Sequence, residues 1–320
     1  MGLEKIHQEY QKLRDSRGHI IQNDWKVLEV AGKDRVRFLH NLVSQNVEEQ
    51  AIGERRWSSL LNSKGKIIGF FQVWKLAEKF LLLIHDSQKD AVFKTLDMYL
   101  ITEDVSFKWW ENVQVVSTFV PSKEKLNEGY AYETNKIVEE PILRCLVDDY
   151  FIPSVCMIMQ PDQQKFLQKT MEIANDLYDA IRIQSLFPLP GKDYEDPIPL
   201  EVPFMHRAVS FTKGCYVGQE TIARLHARGL NVSRKLFPFA CEIDATVSEK
   251  DPVIFDQQEV GKVTSLAFSA LEKRKIGMAW IHRSAFGKFV TVNNQNIRVG
   301  SVSEEGHLEI TSEKKMKKDE

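Results

Sequence analysis

The chain has 320 residues, 43% of them hydrophobic and 28% charged, with a formal net charge of −2. That length exceeds most single cores and suits two domains, or one large domain carrying a smaller one. Balanced charge supplies no global field to attract nucleic acid, and no apolar run is long enough to cross a bilayer, so neither partner is expected.

Ile6, Tyr10 and Leu13 recur at helical spacing and predict a short amphipathic helix, with no apolar signal segment at the amino terminus. A strand follows over Trp25 to Val30. Gly32-Lys33-Asp34 breaks it, and Val36, Phe38, Leu39, Leu42 and Val43 then form one face of a helix ending near Asn46. Leu60 and Leu61, Ile67 to Leu76 and Phe80 to Ile84 read as consecutive strands of an antiparallel sheet, separated by Ser63-Lys64-Gly65 and Ala77-Glu78-Lys79. Val92, Leu96, Tyr99 and Leu100 mark a second helix; Val105 to Trp110 and Val113 to Val120 return to strand.

Residues 162 to 186 carry Phe166, Met171, Ile173, Leu177, Ile181 and Ile183 in a largely helical pattern. Prolines at 188, 190, 197, 199 and 203 make residues 187 to 205 a constrained, extended passage of the kind that often carries function. From Leu236 onward six short strands at regular spacing predict a small barrel: Leu236 to Ile243, Val253 to Phe255, Val260 to Phe268, Ile276 to Ile281, Phe289 to Val292 and Ile297 to Val302. The expected division is residues 1–235, 236–311 and a charged disordered tail at 312–320.

Four cysteines stand far apart without a Cys-x-x-Cys pair, which suggests neither a metal site nor a disulfide framework and fits a cytoplasmic protein with free thiols. Cys145, Cys156 and Cys241 lie in apolar surroundings and read as core. Cys215 differs. It lies in Lys213-Gly214-Cys215-Tyr216-Val217-Gly218-Gln219-Glu220, where a lysine, two glycines and a helix start after Gly218 would all favour a thiolate. The alternative is an inert cysteine packed in a turn that the glycines serve. Arg224, His226, Arg228, Arg234 and Lys235 form a basic cluster just beyond, able to meet an anionic ligand or to remain a solvated face.

This octapeptide resembles the signature of the YgfZ-type folate-binding proteins, relatives of the glycine-cleavage T-protein (aminomethyltransferase) that assist iron-sulfur proteins. The resemblance extends to Leu28 to Asp34 with Phe38 to Leu42, Asn62-Ser63-Lys64-Gly65-Lys66, Ile181-Arg182-Ile183, Ile198-Pro199-Leu200-Glu201 and Val260 to Ser265. It implies an α+β fold, with ferredoxin-like layers around a central folate channel followed by a small β-barrel. It also implies tetrahydrofolate or a derivative as cofactor, with Glu201 as the acid on the channel, a carboxylate being able to accept two hydrogen bonds from a pterin. The implied function is an accessory role in assembly, repair or maintenance of iron-sulfur client enzymes. Cys215 and Lys213 would be the reactive pair, while Tyr216, Gln219 and Glu220 shape the motif between Gly214 and Gly218.

Two departures bear on activity. Aminomethyltransferases carry Gly-Gly-x-x-Asp-Asp-Leu, whereas this chain has Gly69 and Phe70 where the acids should be, so the carboxylate of the transfer reaction is missing. The Gly-Tyr-Thr-Gly-Glu segment of T-proteins is also not found. A folate-dependent aminomethyl or methyl transferase, or a demethylase, stays open as an alternative, as does a non-catalytic folate-binding module.

Overall fold

The computed structural model describes residues 3–120, 133–139, 142–302 and 308–309. The tail expected at 312–320 lies outside them. The first half is built on a five-stranded antiparallel sheet ordered β3-β4-β5-β2-β6, with β2 Trp25–Ala31, β3 Glu54–Leu61, β4 Ile67–Lys75, β5 Lys79–His85 and β6 Ser106–Trp109. Two helices, α2 (Arg35–Leu42) and α3 (Asp86–Tyr99), cover one face. Strand alternation sorts the side chains: Leu28, Val30, Phe71, Val73, Leu82 and Ile84 meet Phe38, Leu39, Val92 and Leu96 of those helices. Their neighbours Val27, Phe70, Trp74, Leu81 and Leu83 point the other way, into the main core. Because both faces are covered, β4 reads as an almost unbroken apolar run.

Opposite that core lies a six-stranded mixed sheet, β11-β1-β7-β10-β9-β8. Its strands are β1 Arg17–Ile21, β7 Gln114–Phe119, β8 Ile137–Val138, β9 Leu143–Val147, β10 Ser154–Met159 and β11 Thr170–Glu172. Val115, Phe119, Cys145 and Cys156 face the main core, joined by Ile6 and Leu13 of α1 (Leu3–Asp15) and by Leu177 and Ile181 of α4 (Asn175–Gln184). Two sheets thus enclose one interior that α1 and α4 help to fill, while α2 and α3 cover the outer face of the first sheet.

The pattern over 162–186 does not form one helix. A 3₁₀ segment occupies Pro161–Leu167, β11 follows, and only Asn175–Gln184 is α-helical. Pro161 starts the short helix, while Thr170–Glu172 pairs in parallel with β1, a long-range partner that local periodicity cannot reveal. The proline-rich passage contains two further 3₁₀ turns, Pro199–Glu201 and Pro203–Ala208.

After α5 (Gln219–Ala227) the chain closes a barrel, β12-β15-β14-β13-β16-β17, from β12 Arg234–Cys241, β13 Pro252–Phe255, β14 Gln258–Ser269, β15 Arg274–His282, β16 Val290–Val292 and β17 Gln295–Val299. Phe239, Val253, Val263, Ala279 and Ile281 fill its interior, whereas Leu236, Ala240, Ile276 and Met278 pack on the main core. Arg182 fastens the joint. Its guanidinium, fully buried, donates to Asp193 and to Ser265 of β14, both at 2.8 Å, and also pairs with Asp179. Asp193 accepts further from Thr264 and Ser265, and its carbonyl accepts from the Trp280 indole at 2.7 Å. Such a buried cation persists because all sides of its fork are satisfied. No helix among the described residues is long and apolar enough to cross a membrane.

Candidate functional site

Gly218 sits at φ +82°, and α5 begins at Gln219, whose amide donates to the Tyr216 carbonyl at 3.2 Å. A Cβ at position 218 would stand 2.5 Å from the Asn62 carbonyl oxygen and 3.0 Å from the Cα of Gly65. Gly65, at φ +76°, in turn meets Thr221, whose Cβ would be 2.8 Å from an added methyl. The turn Asn62-Ser63-Lys64-Gly65-Lys66 and the octapeptide are therefore pressed back to back. Glycine is required by both the contact and the left-handed backbone.

Lys213 is buried, and its ammonium donates to three carbonyls: His40, Val43 at 2.6 Å and Gln45 at 3.3 Å. These belong to the end of α2 and the residues just past it, where carbonyls lack helical partners and a cation is favoured. Burial pushes the Lys213 pKa down to about 8. The sequence reading set this charge beside Cys215; its three protons are instead committed to the helix end, and it lies 5.0 Å from the centre of the Tyr216 ring. The approach to the loop is tied to the same place. Ser210 N donates to Ser44 O at 2.9 Å, Ser44 Oγ to Ala208 O at 2.7 Å, and Gln45 Nε2 to Arg207 O at 2.9 Å.

Cys215 is exposed, whereas Cys145, Cys156 and Cys241 are buried. Its neighbours alternate between anchor and surface. Tyr216 is buried, with burial raising its hydroxyl to about 12, and Gln219 is half-buried. Gly214 faces open space, since a Cβ there would meet nothing within 4 Å. Glu220 is exposed and pairs with Arg224 one turn along α5 at 2.8 Å. Nearby on the sequence, exposed Phe211 stacks on His226 with ring centres 4.0 Å apart.

Glu201 ends the first 3₁₀ turn and is only 5% exposed. Its Oε2 accepts from Ile198 N at 3.2 Å and lies 3.4 Å from Arg234 Nε on β12. Burial raises its pKa, against the opposing pull of Arg234, that backbone amide and Lys66. Lys66 also pairs with Asp196 at 2.5 Å, and Ile67 N donates to Pro197 O at 2.9 Å. The turn 62–66 is thus the meeting point, with Cys215's loop on one side and the segment carrying Glu201 on the other. The basic cluster is dispersed: Arg224 pairs with Glu220, His226 stacks on Phe211, and Arg234 lies between Glu201 and the Trp280 ring. Burial lowers the pKa of Lys235.

Where the transfer acids would stand, the space is filled. A Cβ on Gly69 would fall 2.1 Å from Val92 Cγ2 of α3, and Phe70 stacks on Trp57 with centroids 4.5 Å apart and planes 3° from parallel. Phe204 meets both rings edge-on, and Phe187 packs on Trp57 and Phe204. Beneath this aromatic group is a buried polar cluster absent from the sequence reading. Arg55 pairs with Asp149 and donates to Gln72 at 3.0 Å, while the Trp57 indole donates to Asp149 at 2.7 Å. The available signal was register: Arg55 shares its strand face with Trp57, an unusual charge on an inward position. Among the described residues no group of three or more His, Cys, Asp or Glu side chains is placed to hold a metal.

Two family models match the chain: the GCVT N-terminal domain over residues 3–119, and the glycine cleavage T-protein C-terminal barrel domain over residues 234–315. A tRNA-modifying protein YgfZ of Hamiltonella defensa is 24% identical, the match covering 66% of this chain and 67% of that protein. An aminomethyltransferase of Thermoanaerobacter pseudethanolicus is 22% identical over 91% of this chain and 84% of its own. In fold, the chain is similar to the solved aminomethyltransferase T of the glycine cleavage system from Bartonella henselae. The TM-score is 0.80 at 16% identity, covering 94% of this chain and 89% of that one.

Proposed function

We propose that this chain, a YgfZ-type protein related to the glycine-cleavage T-protein, binds tetrahydrofolate or a derivative and serves the assembly, repair or maintenance of iron-sulfur enzymes through Cys215. The observation that carries the reading is the convergence on one turn: Gly65 supports the loop that exposes Cys215, and Lys66 adjoins the segment of Glu201. A thiol open to solvent on a loop otherwise held by Lys213, Tyr216 and Gly218 suits a group that must reach a partner without dragging its scaffold.

The residues present fit a pterin-like ligand. Both contacts of Glu201 fall on Oε2, so among the described residues Oε1 keeps acceptor capacity for a ligand N–H. Lys213 acts as a positioning residue in this scheme, and Tyr216, Gln219 and Glu220 shape the loop between Gly214 and the helix start. We place the folate-binding unit at residues 1–235 and the barrel at 236–311. Amine transfer is the weaker reading, because Gly69 and Phe70 leave no acid at that point and the site is packed with rings. Relatives are called tRNA-modifying. With a net charge of −2 and Arg224 and Arg234 both engaged by carboxylates, our reading puts this chain's contribution on a protein client.

The test is calorimetric titration of tetrahydrofolate and 5-formyltetrahydrofolate into wild type and Glu201→Ala under reducing conditions, then activity of an iron-sulfur client enzyme with Cys215→Ala. We expect folate binding to fall in Glu201→Ala and client activity to fall in folded Cys215→Ala. Full client activity with Cys215→Ala would reject the reactive thiol and leave the non-catalytic binding module. Turnover of tetrahydrofolate by purified protein would instead restore the transferase reading, and no binding to folded wild type would reject folate altogether.

A further inference from the structure

Two of the buried cysteines face each other. Cys145 of β9 and Cys156 of β10 are direct partners in the antiparallel register, flanked by Leu146 with Val155 and Arg144 with Met157. Directly opposed residues project to the same side of the sheet, with Cα atoms about 4.5–5.5 Å apart, inside the range of about 4.4–6.8 Å that a disulfide spans. Both thiols are reduced, both belong to the main core, and Cys145 Sγ is 3.4 Å from the carbonyl of Leu146. Burial raises both thiols above their ordinary range, Cys145 to about 12, against the smaller opposing pull of the Arg55 guanidinium.

We propose that Cys145 and Cys156 form an oxidisable cross-strand dithiol, a modification site distinct from Cys215. With a small-molecule disulfide as oxidant, the two thiols give up two protons and two electrons, one S–S bond forms between β9 and β10, and the S–S bond of the oxidant breaks to leave two thiols. Both thiols face the main core, so an oxidant reaches them only when this part of the sheet opens; β9 is bordered by β8, which has only two residues, Ile137–Val138, and opening is expected to begin there. Exchange is therefore slow compared with Cys215, which reacts without any opening.

The bond would close the segment 146–155, which carries Asp149 and Tyr150. Asp149 holds Arg55 and the Trp57 indole of the opposite sheet, and Tyr150 shares its hydroxyl with Tyr178 at 3.1 Å and packs on Phe187. Oxidation thus fixes the loop that ties one sheet to the other across the core.

The test is incubation of folded full-length protein in glutathione disulfide without denaturant, then acid quench, alkylation after unfolding, and peptide mass mapping. The expected product has lost two mass units across the peptides of Cys145 and Cys156, after Cys215 has taken up one glutathione, and its melting temperature rises. Cys145→Ser and Cys156→Ser should each abolish the two-unit loss while Cys215 still reacts. The proposal falls if both thiols are still recovered alkylated from folded wild type after incubation continued long past full modification of Cys215. It falls equally if the bridge forms only after denaturant is added, or if the loss survives in either serine variant.

Discussion

Lys213→Met is the most direct probe of how the exposed thiol is held. Methionine keeps most of the apolar stem but deletes the ammonium that serves the carbonyls of His40, Val43 and Gln45. An unsatisfied buried carbonyl costs about 1–3 kcal/mol, and the burial penalty of the ammonium disappears at the same time, so the net loss should be about 2–4 kcal/mol. Guanidinium unfolding reads this as a lower midpoint with an unchanged slope. A second readout is local. The imidazole of His40 is held below its usual pKa first by burial and next by the Lys213 charge, so its titration, followed by NMR, should move upward in Lys213→Met. Reaction of Cys215 with a thiol reagent should change as the loop loosens, while the buried cysteines stay protected. A loss below about 0.5 kcal/mol, the scatter of ordinary surface changes, together with an unmoved His40, would mean that the ammonium does not anchor the loop.

Two further outcomes follow from the same geometry. Gly218→Ala should lose at least about 1–2 kcal/mol from its positive φ alone, with the clash against Asn62 O added, whereas Gly214→Ala, facing open space, should be nearly neutral; equal effects in denaturant titrations would contradict the back-to-back turn. Glu201 has a folded-state pKa raised by burial above the ordinary 4.5, so its protonated form stabilises the fold below that value and the benefit is lost as pH rises through the folded pKa. Wild type should therefore lose stability relative to Glu201→Gln between about pH 4 and neutrality, and a difference that stays flat across that range would show that the carboxyl is not held in a desolvating site.

The strands and the octapeptide were legible because their constraints are local. Period-two runs such as Phe80 to Ile84 alternate between the two cores, and the barrel strands repeat with turns between them. Gly218 could be marked as special from its place before a helix start, though its contact with Gly65 could not. Lys213 shows the limit. Its proximity to Cys215 in sequence pointed to a thiolate partner, but a loop has no period to fix which way a side chain leaves it. The acceptors that decide the matter come from the end of α2 and the residues just past it, about 170 positions away. Arg55 and Asp149 were missed for the same reason, each looking like an ordinary surface charge until the sheets face each other. Residues 162–186 failed differently: two apolar patterns adjoin there, and only the pairing of Thr170–Glu172 with β1 separates them.

The replacement at Gly69 and Phe70 goes beyond two missing acids. Any side chain at 69 collides with Val92 of α3, so the helix has settled onto the space a carboxylate would need. The ring of Phe70 lies flat on Trp57, whose indole nitrogen is bound to Asp149, whose other oxygen is bound to Arg55. An acid reintroduced at 70 would be buried against aromatic faces, where a lone carboxylate is expensive and titrates instead of staying charged. Packing on both sides of the strand has therefore adapted to the absence of charge. At the rim of the molecule, by contrast, the turn that supports the Glu201 segment also backs the loop on which the thiol of Cys215 is exposed.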